Sequence, residues 1–71
     1  MCLRFDSEDD PRLPEVDNLM EIFAGGPESV YYYFKSTARY VRQQRFGSIF
    51  ISDSLLGELT RILGDGNVFR R

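Results

Sequence analysis

The chain has 71 residues, a net charge of −2, one cysteine and no histidine. That is room for a single domain with a small core. It excludes an internal disulfide, a histidine-containing zinc site and any catalytic arrangement that uses imidazole as its base. The charge is unevenly spread. Residues 1–30 hold eight acids against two bases, and residues 31–71 hold three acids against seven bases. The two halves therefore carry opposite fields, which either complement each other within the fold or attract a charged partner.

From the start of the chain, Leu3, Arg4 and Phe5 alternate briefly before an acidic run from Asp6 to Asp10. That run has too little apolar surface to order itself, so residues 1–10 read as an acidic tail. Pro11 and Pro14 suit a helix entry, with Asp9 or Asp10 as N-cap, and a helix is predicted over 13–24. Leu13, Val16, Leu19, Met20, Phe23 and Ala24 share its apolar arc, while Ile22 points away among polar residues. Gly25-Gly26 then reads as a helix stop and Pro27 as a restart.

The stretch from Val30 to Phe46 contains all four tyrosines and four of the nine basic residues. Wound as a helix over 27–46, it places Val30, Phe34, Thr37, Ala38 and Val41 on one face, flanked by Tyr33 and Tyr40. Lys35, Arg39 and Arg42 fall on the opposite face, bordered by Tyr31 and Tyr32. A strand competes over Val30–Phe34, which is β-branched and aromatic. The helix is preferred because the polar positions from 35 to 45 do not alternate. Gly47 follows as a C-terminal stop. Ile49-Phe50-Ile51 favours a strand but is short. From Asp53 a last helix is predicted over 53–63, with Leu55, Leu56, Leu59, Ile62 and Leu63 in one stripe and Gly64-Asp65-Gly66 closing it.

The fold expected from these elements is an all-α three-helix domain over 11–66, with residues 67–71 as a basic tail. The alternative is an α+β fold in which residues 3–5 pair with 49–51.

The functional inventory is one of exclusions. Gly25-Gly26 and Gly64-x-Gly66 lack the strand, helix and Gly-Lys-Ser/Thr context of a phosphate-binding loop. Asp6, Glu8, Asp9 and Asp10 lack the spacing of a calcium loop. No cofactor and no metal ligand set is expected, and the chain is read as no enzyme. Cys2 has only Arg4 nearby to lower its pKa, so it is not read as a reactive thiol. No apolar run is long enough to span a membrane and no signal-peptide pattern is present, which gives the expectation of a cytoplasmic, intracellular protein.

The expected function is that of a small non-enzymatic regulator or adaptor docking on another protein through Tyr31, Tyr32, Lys35, Arg39 and Arg42. The first alternative is a nucleic-acid-binding module using Lys35, Arg39 and Arg42. The second is an acidic mimic of nucleic acid using the carboxylates from Asp6 to Asp17. A chain this small has little stability to spare, so a homodimer burying Ile22, Tyr32 and Phe50 is also expected.

Overall fold

The structure, a computed structural model, describes residues 1–44 and 47–69. The chain runs β1 (Cys2–Phe5), α1 (Leu13–Ile22), β2 (Ala24–Glu28), β3 (Tyr31–Phe34), β4 (Arg39–Arg42), α2 (Asp53–Leu63), a 3-10 turn (Asp65–Asn67) and β5 (Val68–Phe69). Four strands form one sheet in the order β4-β3-β1-β5. The fold is α+β, which overturns the three-helix expectation. The α+β alternative names the right class but the wrong pairing.

β1 and β3 are parallel, with Leu3 beside Tyr32 and Phe5 beside Phe34. Parallel neighbours need a crossover, and α1 supplies it. β4 returns antiparallel to β3, and β5 closes the other edge antiparallel to β1. Cys2–Phe5 and Val68–Phe69, which fall in stretches read from composition as tails, thus form a central strand and an edge strand. Leu3 and Phe5 outweigh the acidic run because they alternate inward onto the core, where both are fully buried.

The predicted helix over 27–46 is replaced by β3, a turn and β4. Val30, Tyr32 and Phe34 are buried, while Tyr31 and Tyr33 point the other way. That is period 2, which a pleated strand imposes. Residues 35–38 do not alternate because they form a turn, with Ala38 at φ 53°. β4 does not alternate because all four of its residues lie exposed at the sheet edge. The part of the predicted helix at 45–46 and the basic residues at 70–71 lie outside the described residues.

Gly25-Gly26-Pro27 lies in extended β2, after α1 has already ended at Ile22. Gly25 has φ 98° and donates its N–H to the Ser48 carbonyl at 2.8 Å. Gly26 lies against the Ile49 carbonyl and the Phe50 nitrogen with no space for a side chain. Ile49 bridges to Ala24 and Glu28, not to β1, and is fully buried.

The helices follow their sequence stripes. Val16 and Met20 are buried on α1, and Leu55, Leu59 and Leu63 on α2. Ser52 caps α2 by accepting a hydrogen bond from the Leu55 N–H at 3.2 Å. The N-cap of α1 is Arg12, without a side-chain cap bond, in place of the expected Asp9 or Asp10. Both helices pack on one side of the sheet, in a single core with Leu3, Phe5, Tyr32 and Phe34. Phe5 lies at the centre of the aromatic part, 4.8 Å from the Tyr32 ring and 6.0 Å from the Phe34 ring.

Candidate binding face

Because α1 and α2 share one side of the sheet, no helix among the described residues lies over its other side. Strand alternation fixes which residues occupy that open face. In β1 they are Cys2 and Arg4, in β3 Tyr31 and Tyr33, in β4 Tyr40 and Arg42, and in β5 Phe69. The register aligns them in rows: Arg4 beside Tyr33 beside Tyr40, and Phe69 beside Cys2 beside Tyr31 beside Arg42. The Tyr33 and Tyr40 rings meet at 4.7 Å with an interplanar angle of 47°. Arg4 lies over the Phe69 ring at 5.3 Å and donates to the Asn67 side-chain oxygen and the Gly66 carbonyl, each at 2.8 Å. An open groove of about 640 Å³ is lined by these aromatic residues together with Met1, Cys2 and Arg4.

Among the described residues, the outward strand positions of the open face carry two guanidinium groups and no carboxylate. Several of the acids are engaged elsewhere. Asp6 pairs with Lys35 at 2.8 Å. Asp17 accepts a hydrogen bond from the Tyr32 hydroxyl at 2.7 Å. Glu58 pairs with Arg61 at 2.7 Å along α2. Asp10 is buried and receives Arg12 on both oxygens, at 2.9 and 2.6 Å, together with the backbone N–H groups of Asp6 and Arg12. The side-chain bonds from Arg12, ahead of the backbone donors, hold the Asp10 carboxyl well below the usual carboxylate range against the opposing effect of burial. Arg12 also reaches the Leu63 carbonyl at 3.3 Å, so this pair ties the entry of α1 to the end of α2.

The structure divides the five residues expected to bind a partner. Tyr31 and Arg42 come together on the open face, directly in register. Tyr32 is 1% exposed and belongs to the core. Lys35 lies in the turn after β3 and is ion-paired. Arg39 is in register with Phe34, so it lies on the opposite side of β4 from Arg42. A helix would gather Lys35, Arg39 and Arg42; a strand separates positions three apart. Among the residues expected to self-associate, Ile22 is 77% exposed and Phe50 57% exposed, while Tyr32 is unavailable. Arg4, Tyr33, Tyr40 and Phe69 were not singled out as binding residues. The alternation of Tyr31 and Tyr33 against Tyr32 and Phe34 signals Tyr33 alone; Arg4, Tyr40 and Phe69 reach the face only through strand pairing.

In comparisons with known proteins, no family model, no curated sequence and no solved structure matches the chain. The chemistry of the face therefore has to be taken from its own residues. Tyrosine rings and guanidinium groups offer flat apolar area and hydrogen-bond donors. Among the described residues no group of three or more thiols or carboxylates is arranged to hold a metal ion, and no helix is long and apolar enough to cross a membrane.

Proposed function

We propose that the chain is a non-enzymatic binding module that docks on another protein through the open face of its sheet. The supporting observation is the gathering of Tyr31, Tyr33, Tyr40 and Phe69 on a face that neither helix covers. Aromatic residues and arginine are enriched at the energetic centres of protein interfaces. Covering apolar surface contributes about 25 cal/mol per Å². The test is capture from a nuclease-treated lysate of the native host by the wild-type chain, by Tyr31→Ala/Tyr40→Ala and by Ile22→Ala/Phe50→Ala. The proposal expects a partner retained by the wild type and by the second variant and lost by the first. Loss by the second variant alone would transfer docking to the Ile22 and Phe50 surface.

Single-stranded nucleic acid is the second reading. It is favoured by Arg42 and Tyr31 lying in register, since a cation beside a ring suits a phosphate beside a base. Its mark would be retention that disappears with nuclease and falls steeply with salt. The acidic-mimic reading has less support, because Asp6, Asp10 and Asp17 make contacts within the chain.

A further inference from the structure

We infer that the partner presents an acidic, extended segment to the open face, with two carboxylates about four residues apart that meet Arg42 and Arg4 and an apolar side chain between them that sits on Tyr31. The inference rests on the docking reading above and supplies the chemistry of the partner.

Charge complementarity comes first. The outward strand positions hold Arg4 and Arg42 and, among the described residues, no acid. Among the described residues Arg42 makes no ion pair, so its charge is available to an incoming carboxylate. Arg4 is already oriented by Asn67, Gly66 and the Phe69 ring, with Nε and one terminal nitrogen engaged and its other terminal nitrogen left to donate. An arginine fixed in this way loses little freedom when it binds a carboxylate.

Spacing comes second. Arg42 is on β4 in the row of Tyr31, and Arg4 is on β1 in the row of Tyr33. The Arg4 guanidinium, however, leans over the Phe69 ring on β5, which lies in the row of Arg42 three strand spacings away, so the two charges are roughly 14 Å apart along that row. Four residues of extended chain cover ~13 Å and return the side chain to the same face. The line between the charges follows the row of Phe69, Cys2, Tyr31 and Arg42, which places an apolar residue against the Tyr31 ring midway between them.

Two guanidinium groups match two carboxylates better than they match a phosphate backbone. Nucleic-acid affinity grows with the number of phosphates neutralised, and this chain has a net charge of −2.

The test is an amide NMR titration of the full chain with three probes: a soluble peptide containing Glu-Ser-Leu-Ser-Glu, the same peptide with glutamine at both glutamates, and a twelve-nucleotide oligo-dT. The expected result is that the glutamate peptide shifts the amides of Tyr31, Tyr33 and Tyr40 and binds about five- to tenfold more tightly than the glutamine peptide. R42Q should weaken it about fivefold, and R39Q, on the other side of β4, should leave it unchanged. Equal binding of the two peptides, equal effects of the two arginine variants, or tighter binding of oligo-dT than of the glutamate peptide would each overturn the inference. The docking reading is scored separately. A lysate partner that R42Q retains and Tyr31→Ala/Tyr40→Ala loses leaves docking in place and removes the acidic segment.

Discussion

The hydroxyl of Tyr32 donates a 2.7 Å hydrogen bond to a carboxylate oxygen of Asp17, joining the inner face of β3 to α1. Its ring packs on Phe5 and Phe34, so one side chain spans the apolar core and ends on a charged acceptor. Tyr32→Phe keeps the packing and removes the donor, and should cost about 1–2 kcal/mol, since hydrogen bonds to charged groups are the stronger ones. For a domain of this size that lowers the melting temperature by roughly 4–8 °C per kcal/mol. Tyr32→Ala also empties the core site and should cost about 3–5 kcal/mol. Thermal melts of the two variants separate these contributions. A variant with wild-type stability would show that the hydroxyl contributes nothing to folding.

The Asp10–Arg12 pair gives stability a defined pH dependence. The Asp10 carboxyl is held below its ordinary value of 3.8 in the folded chain, so the folded state takes up its proton later than the unfolded state as pH falls. The contribution of Asp10 is therefore fully present above that ordinary value and is lost progressively as pH drops toward the depressed one. Asp10→Asn should destabilise the chain by about 2 kcal/mol near neutrality, because the Arg12 guanidinium and two backbone N–H groups lose a charged acceptor. Melts from pH 6 to pH 2 should show the difference between wild type and variant narrowing below pH ~4. A difference constant across that range would mean that Asp10 is not the titrating group.

The helices were legible and the sheet was not, for a physical reason. A stripe such as Leu55, Leu59 and Leu63 repeats inside one element, and the observed Asp53–Leu63 has the predicted bounds. The sheet is assembled from pieces distant in sequence: Leu3 pairs with both Tyr32 and Val68. No local pattern reports those contacts. The tyrosine run held the needed alternation over only four residues. The turn at residues 35–38 and the exposed edge strand β4 then supplied polar positions at spacings that a helix also satisfies. Of the binding face, Tyr31 and Arg42 were legible as interface chemistry. Their neighbours Arg4 and Phe69 were not, because only the pairing of β1 with β3 and β5 brings them alongside.

Gly26 and Gly57 should respond in opposite directions to the same change. Gly26 lies against the Ile49 carbonyl group and the Phe50 nitrogen, and both are backbone that cannot swing aside. Gly26→Ala should cost about 3 kcal/mol or more through displacement of the Ala24–Glu28 strand and of Ile49, a fully buried core residue. Gly57 is exposed within α2, and an added Cβ meets nothing within 4 Å. Gly57→Ala should stabilise by about 0.5–1 kcal/mol, since alanine restricts the unfolded chain and suits a helix interior. Urea unfolding of both variants checks the signs. Equal effects would mean that Gly26 tolerates a side chain and that the close approach to Ile49 is wrong.

Ala38 tests the turn that separates the strands from the helix expected there. Its φ of 53° lies in the left-handed region, where a Cβ crowds the backbone at a cost of about 1–2 kcal/mol. Glycine removes that strain but loses some of the gain by giving the unfolded chain more freedom, roughly 0.4–1 kcal/mol. Ala38→Gly should therefore stabilise slightly, by about 0.5 kcal/mol. Ala38→Val should destabilise by about 1–2 kcal/mol, because a β-branched side chain fits this conformation worst. In a helix the order reverses: valine would cost a few tenths of a kcal/mol and glycine about 1. The ranking of the two variants in one unfolding experiment thus decides between a hairpin and a helix at residues 31–42, and the open face exists only in the hairpin.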